Sequence, residues 1–337
     1  MSEPVQQLID PDIPTLAEVF DPIVLANHLR SISLYNGNEG GVKEAQIIRV
    51  LKHHLGRRCT LEIRLRTDKG WRSLIAKIYR KDRSDVFQAM TGIQQAGFGM
   101  RDEFSISQPV AYLTSLRCLV LEKVEGTTAD ELLKTGDERS RAAAAERCAL
   151  WLARFHALAP KVGPISPACD HLNSSSMQRC AREMAKQGGS FADRGAQLFQ
   201  RLETASASLG TVELCQSHGS YGASQVMLAQ GRTAGFDLDR YCVADPAHDM
   251  GRFLGALRRW ALDKFGSIRA FDGAAEIFRK SYMAVGQPDA ERNLPFFEAA
   301  ACLKWAKHIL SQRALGWHDN ADVMLNVGLA VLDGEAA

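Results

Sequence analysis

The sequence predicts an α+β protein with a small antiparallel sheet near its front and a larger, mainly helical remainder. Three runs between residues 45 and 79 have the period of β-strands and are separated by short turns. From around Gly126 onward, apolar residues recur mostly at helical spacing. One exception is a β-hairpin pattern over residues 226–236, and polar side chains crowd both of its ends.

Composition limits the classes of function. The chain has 337 residues, of which 46% are hydrophobic, and this is enough to fill two packed units. A net charge of +2 argues against a general nucleic-acid binder, because such proteins are usually far more basic. No apolar run is long enough to predict a membrane-spanning helix, and residues 1–14 lack the apolar segment of a secretory signal.

The cysteines are scattered and include no CxxC pair. There are eight, at positions 59, 118, 148, 169, 180, 215, 242 and 302. This spacing disfavours a disulfide framework or a zinc site and is typical of reduced, buried thiols. We therefore expect a cytoplasmic protein with neither a membrane nor a nucleic acid as partner.

Residues 1–40 are expected to form an N-terminal helical extension. Its first part, residues 1–14, contains three prolines and is expected to be irregular. Thr15 to Arg30 has apolar residues at helical spacing. Within this run, Pro22 either breaks one helix or begins a second.

A three-stranded antiparallel meander is predicted next, over Ile47 to Leu51, Cys59 to Leu65 and Trp71 to Tyr79. Lys77 lies among apolar residues of the third strand. A lysine there costs desolvation energy unless an anion meets it. The alternative is a lysine on a solvated face of the strand. Ser105 to Tyr112 is predicted to form a further strand.

The polar side chains best suited to catalysis or metal binding lie at the two ends of the hairpin. His218, Ser220 and Gln225 precede it, and Asp237 and Asp239 follow it. Because the hairpin folds back on itself, it brings these groups to one edge, which suits a cation site built from one local segment. If the strand continued, Asp237 and Asp239 would project to the same side.

This region resembles the catalytic core of the aminoglycoside phosphotransferase and choline kinase group, which shares the protein-kinase fold. That group carries H-G-D-x-x-x-x-N, a short hairpin, then I-D-[WF]-[ED] and D-P-x-x-D-[LM]. Here the three blocks read HGSYGASQ, FDLD and DPAHDMG, in the same order and at matching spacing. The resemblance implies a two-lobed protein-kinase-like fold, with an N-lobe at 41–125 and a mainly helical C-lobe at 126–337.

The resemblance also implies roles for individual residues. Lys77 falls on the phosphate-binding lysine of the third strand. Val124 lies in the segment that would contact the adenine edge of ATP. Asp237 falls on the metal-binding aspartate and Gln225 on the metal-binding asparagine, so that both would hold Mg²⁺. Ser220 falls on the catalytic aspartate.

Besides Gln225, the chain departs from the group's pattern at three places that bear on catalysis. An unactivated serine hydroxyl at Ser220 can orient a substrate by hydrogen bonding but cannot act as a base. Asp239 could replace the base or bind a second cation. No G-x-G-x-x-G precedes the third strand, and the nearest loop instead carries Arg57 and Arg58, which could contact phosphates or lie solvated. The helix predicted after the third strand lacks the glutamate that orients the lysine, and Asp85 is its only acid.

Two functions stay open. The first is an ATP- and Mg²⁺-dependent phosphotransferase acting on a small-molecule hydroxyl, weakened because the catalytic position is Ser220. Lys77 and Arg58 would hold phosphates in this hypothesis. The alternative is a catalytically impaired pseudokinase, a nucleotide-binding or regulatory module with a protein partner. Retention of Lys77, Asp237 and Asp239 favours the enzyme. The sequence does not identify the acceptor, because the C-terminal aromatic residues have core spacing and the acids are dispersed.

Overall fold

The computed structural model describes residues 8–30, 42–229, 231–313 and 316–334. The chain divides into two compact units, Met1–Glu125 and Gly126–Ala337. The predicted N-terminal extension lies partly outside the described residues, at positions 1–7 and 31–40.

No helix in the described ranges combines the length and the apolarity needed to cross a membrane.

The first unit is built around a five-stranded antiparallel sheet with the order β1-β2-β3-β6-β5. Its elements are α1 (Leu16–Val19), α2 (Pro22–Leu29), β1 (Glu44–His54), β2 (Arg58–Thr67), β3 (Gly70–Tyr79), α3 (Ser84–Gln95), β4 (Phe104–Ile106), β5 (Pro109–Leu113) and β6 (Cys118–Glu122). The predicted meander is confirmed, and each strand is longer than its apolar pattern. The strand predicted over Ser105 to Tyr112 instead divides into β4 and β5. It breaks at Gln108, whose buried amide donates to the carbonyl oxygens of Phe98 and Ile106.

One face of the sheet packs on the hydrophobic core, and the other, which we call the polar face, carries charged side chains of β2 and β3 beside Leu119 and Leu121 of β6. Leu61 and Ala76 pair across β2 and β3, and both belong to a hydrophobic core that includes Leu25 of α2. Side chains alternate along a strand, so Glu62 and Lys77 project from the opposite face. The two N-terminal helices therefore cover the apolar face, and the predicted phosphate-binding lysine lies on the polar one.

The segment before α1 is ordered by its contacts, although an irregular segment was expected. Ile13 is buried in the same core. The carboxylate of Asp10 accepts hydrogen bonds from the Gly56 backbone N–H at 2.9 Å and from the His53 ring at 2.8 Å. Gly56 forms the β1–β2 turn with φ +67°. Asp10 thus holds this turn from the N-terminal side.

The second unit is mainly helical and contains two small sheets. Its elements are β7 (Thr127–Thr128), α4 (Ala129–Thr135), α5 (Glu138–Leu158), β8 (Ile165–Ser166), α6 (Ser175–Ala185), α7 (Gly189–Ser206), β9 (Cys215–Ser217), β10 (Val226–Ala229), β11 (Arg232–Gly235), β12 (Cys242–Ala244), α8 (Pro246–Phe265), α9 (Asp272–Val285), α10 (Leu294–Gln312) and α11 (Trp317–Leu332). β10 and β11 form the predicted hairpin, and β7 pairs with β10. β9 pairs antiparallel with β12, which also pairs parallel with β8.

Aromatic packing supports the loop that follows β9. Tyr221 is fully buried, stacks on Trp151 of α5 at 5.6 Å between ring centroids, and lies 5.8 Å from Phe253 of α8. Its hydroxyl donates to the Cys148 carbonyl oxygen at 2.7 Å. Gly235 completes this packing, because a Cβ there would lie 2.1 Å from the Trp151 ring. The loop and the hairpin are therefore seated on the same aromatic layer.

We predict that Asp10→Ala loosens the β1–β2 turn, because Gly56 and His53 lose their shared acceptor. Hydrogen exchange should become faster at the Gly56 amide, and the midpoint of thermal unfolding should fall. Glu18→Ala, an exposed change on α1, is the control and should leave both unchanged. Unaltered exchange at Gly56 in the Asp10 variant would contradict this role.

Candidate active site

The loop after β9 is anchored by one buried carboxylate, that of Asp249 in α8. It accepts hydrogen bonds from the backbone N–H groups of His218 at 2.7 Å and Gly219 at 3.1 Å. The Ser217 hydroxyl donates to it at 3.0 Å, and His156 Nε2 lies 3.2 Å away. Asp249 therefore fixes the start of this loop.

The Asp249 carboxyl remains ionised in spite of its burial. Burial acts to raise its pKa, but the hydrogen bond from His156 and the charges of nearby imidazoles outweigh burial and lower the pKa. His156 is held in turn by the Tyr282 hydroxyl, 2.8 Å from its Nδ1. The loop is thus fixed by a charge-assisted network that extends into α5 and α9.

The proton positions on His218 follow from its contacts. Its Nε2 lies 3.0 Å from the carbonyl oxygen of Phe236, which can only accept, so Nε2 carries the proton. Burial lowers the pKa of His218, and the ring is neutral near pH 7. Nδ1 is therefore an acceptor, and the Ser220 hydroxyl, 3.4 Å away, donates to it. His218 thus donates to the backbone carbonyl directly before Asp237.

Gln225 and Asp237 lie at the open end of the hairpin. Gln225 ends a single turn of 3-10 helix, and its carbonyl oxygen accepts from the Phe236 N–H at 3.0 Å. Asp237 follows directly, with a left-handed φ of +67°. A Cβ on Gly222 would lie 3.1 Å from Gln225 Oε1, so this glycine leaves room for the amide.

The expectation that Asp237 and Asp239 share one side of a strand is wrong. β11 ends at Gly235, and the left-handed residue at Asp237 turns the chain out of the strand. Leu238 between them is buried, and its carbonyl accepts from the Tyr241 N–H in a turn. Both carboxylates are half-buried.

The remaining predicted residues belong to the first unit. Lys77 is only 6% exposed, which excludes a lysine on a solvated strand face. Arg58 is two positions from Lys77 in the β2–β3 register and projects from the same face. Val124 follows β6 outside regular structure and is half-buried. Asp85 of α3 pairs with Arg83 at 2.9 Å.

Helix α8 begins with a capped first turn. The Asp245 side chain accepts from the Ala247 N–H at 2.8 Å, and Pro246 occupies the first turn. Asn293 also donates to Asp245, at 2.7 Å. This start places Asp249 under the loop after β9. The contact of His156 with Asp249 could not be predicted from the sequence, because no local spacing links residues 93 positions apart.

A family model described as "Phosphotransferase enzyme family" matches residues 61–279. The chain belongs to this family. The match spans the polar sheet face with Lys77, the loop after β9 and the hairpin. A search of curated proteins finds no match.

Solved structures confirm the predicted kinase-like α+β fold of this family member. A choline/ethanolamine kinase family protein from Mesorhizobium loti has a TM-score of 0.58 and 13% identity over 92% of this chain and 94% of its own. An amicoumacin kinase in complex with AMP-PNP and Ca²⁺ has a TM-score of 0.59 and 15% identity, covering 85% and 88%. An aminoglycoside phosphotransferase in ternary complex with ADP and hygromycin B has a TM-score of 0.57 and 14% identity, covering 88% and 96%. At such identities the likeness concerns the fold alone.

We predict that Gly219→Ala disrupts the loop after β9. Gly219 has φ +75°, and a Cβ there would lie 1.8 Å from the Arg240 carbonyl oxygen. The free energy of unfolding should fall by about 1–3 kcal/mol more than in Gly231→Ala. Gly231 is the matched control, since its φ is +72° and nothing lies within 4 Å of its added Cβ. Equal losses of unfolding free energy in the two variants, measured by chemical denaturation, would contradict the steric role of Gly219.

Proposed function

We propose that this family member is an ATP- and Mg²⁺-dependent phosphotransferase that acts on a small-molecule hydroxyl and is slowed by its serine at the catalytic position. The observation that carries the proposal is Asp237. It is a non-glycine residue in a left-handed conformation, directly after the Phe236 carbonyl that His218 holds. Such a conformation costs free energy and is common at functional sites.

The oxygen donors beside the hairpin fit Mg²⁺. Magnesium prefers one or two carboxylates, with substrate phosphates and water completing an octahedron. Asp237 would supply a carboxylate and Gln225 an amide oxygen. Within the described ranges no cluster of three His, Cys, Asp or Glu side chains could hold a metal alone. That agrees with an ion whose coordination is completed by a nucleotide. When bound, the ion would neutralise charge on the phosphates.

The first unit would bind the nucleotide. Lys77, buried on the polar face, would contact phosphates, and Arg58 on the same face would add a second positive charge. The backbone at Val124 would contact the adenine edge. The Gly56 N–H of the β1–β2 turn already donates to Asp10, so side-chain cations would replace the backbone donors of a glycine-rich loop.

Ser220 would orient the acceptor rather than deprotonate it. Because its hydroxyl donates to His218 Nδ1, its oxygen lone pairs are free to accept a hydrogen bond from the acceptor hydroxyl. Phosphoryl transfer passes through a loose transition state, in which positioning and charge neutralisation matter more than proton removal. Asp239 is the carboxylate that could accept the proton.

The alternative function is a pseudokinase that binds nucleotide as a regulatory module. The observation that favours it is Ser220 itself, since a base normally contributes about 10²–10⁴ in rate. Thermal unfolding with ATP and Mg²⁺, followed by a turnover assay, separates the two functions. Stabilisation without turnover would favour the pseudokinase, and no stabilisation at millimolar nucleotide would exclude both.

We predict that Asp237→Ala reduces ATP turnover by roughly 100-fold or more, because several kcal/mol of charge stabilisation through the metal would be lost. The increase in the midpoint of thermal unfolding that Mg²⁺ and ATP cause should also become smaller. Asp289→Ala is the control, because Asp289 is exposed and pairs with the exposed Arg292. Turnover that survives in the Asp237 variant would refute the proposed metal site.

A second prediction concerns Ser220→Asp, which should raise turnover by roughly tenfold or more by restoring a carboxylate at the catalytic position. Initial rates at saturating ATP measure the effect. Ser208→Asp adds the same charge at an exposed position and should change nothing. A loss of rate in the Ser220 variant would indicate a dedicated use of serine.

A further inference from the structure

Positive and titratable side chains from separate elements meet beside the loop after β9. Lys304 of α10 places its Nζ 3.1 Å from His171 Nε2. The His171 ring lies 5.3 Å from the ring of His248 in α8, between centroids. His248 Nδ1 is in turn 3.3 Å from the hydroxyl of Ser217. The chain of contacts therefore runs from α10 to the residue just before the His218–Ser220 segment.

Two arginines complete this group. Arg252 follows His248 by one helical turn on the same face of α8, and its Nε is enclosed without a hydrogen-bond partner among the described residues. Arg240 lies beside the loop, because its carbonyl oxygen packs against Gly219, and its side chain is exposed. We call Lys304, Arg252, Arg240, His171 and His248 the basic cluster.

The basic cluster is net positive, although the buried charge of Asp249 acts on His248 and Arg252. In the described part of the chain, none of Lys304, Arg252 and Arg240 forms an ion pair. Asp249 lies 3.9 Å from His248 Nδ1, but the loop and His156 already use its oxygens. Burial raises the pKa of the neighbouring Cys180 thiol, which therefore stays neutral.

The unpaired positive charges of the basic cluster lower the pKa values of its own members. Burial, and then the positive charges of Arg252 and Arg240, lower the pKa of Lys304 to about 7. Burial and then the charge of Lys304 lower the pKa of His171 well below its usual value. Positive charges that are partly buried near one another raise the free energy of the folded protein. An anion bound among them would lower it again. Arginine and lysine together suit a carboxylate or phosphate.

We infer that the basic cluster binds an oxyanion, a carboxylate or phosphate group, on the acceptor and so presents the acceptor hydroxyl to Ser220. The inference rests on the proposed phosphotransferase function. It specifies an acidic hydroxy compound, such as a sugar acid or a sugar phosphate, as the acceptor class. A polycationic acceptor would be repelled by the same charges.

Binding of inorganic phosphate, measured without nucleotide at constant ionic strength, tests the site directly. Calorimetry should show binding that Lys304→Met and Arg252→Met each weaken by roughly tenfold or more. Lys304→Met removes an unpaired, partly buried charge, so we expect a folded protein; Arg252→Met is the second variant. Lys280→Met is the control, because Lys280 is exposed and pairs with Glu276. Equal affinity in the control and both cluster variants would overturn the site.

Two further measurements separate this site from the nucleotide site. If Lys77→Met abolishes phosphate binding while Lys304→Met does not, the anion belongs to the nucleotide site and the inference fails. At about pH 8, phosphate binding should take up a proton, because the anion restores the charge of Lys304. Calorimetry in buffers of different ionisation enthalpy detects this uptake, and it should vanish in Lys304→Met.

Acceptor assays with ATP and Mg²⁺ complete the test. Glycerate, with a carboxylate, and glycerol 3-phosphate, with a phosphate, should both exceed glycerol in kcat/KM. Lys304→Met should reduce the preference by roughly tenfold. Phosphorylation of glycerol or choline at rates equal to the acidic compounds would overturn the inference while leaving the phosphotransferase intact. Conversely, phosphate binding that depends on Lys304, in a protein that neither binds nor turns over ATP, would overturn the proposed function and support the anion site.

Discussion

The bond between the Asp249 carboxylate and the backbone of the loop after β9 is the interaction on which the second unit's candidate chemistry depends. A fully buried carboxylate is costly unless donors surround it. Here two backbone N–H groups, a serine hydroxyl and His156 do so. The same bonds fix His218, and His218 in turn fixes the carbonyl before Asp237. One charge therefore determines the positions of residues on both sides of the hairpin.

The change at Ser220 is compatible with this framework because the anchoring bonds go to the backbone. Neither His218 N–H nor Gly219 N–H depends on which side chain follows. The serine hydroxyl donates to the unprotonated nitrogen of a neutral imidazole. The loop can thus keep its shape whichever side chain occupies position 220.

Local patterns in the sequence were sufficient to predict the meander and the hairpin. The alternation in Cys59 to Leu65 and the hairpin pattern over residues 226–236 each act over a few residues, and each predicted its element. The expectation for Asp239 was wrong because β11 ends at Gly235 and the left-handed residue Asp237 turns the chain out of the strand. The basic cluster was missed for a different reason: its members come from separate elements between His171 and Lys304, and no periodicity relates them. Long-range convergence of this kind is set by tertiary packing.

The left-handed backbone at Asp237 would set local stability against the metal binding that we propose for its carboxylate. Glycine or asparagine would adopt that φ more readily than aspartate. Selecting variants of this protein for heat resistance alone would therefore favour replacements at this position that strengthen the hairpin and remove the carboxylate. A stabilised variant obtained in that way would lack the carboxylate, so its activity would not report the function of the natural chain.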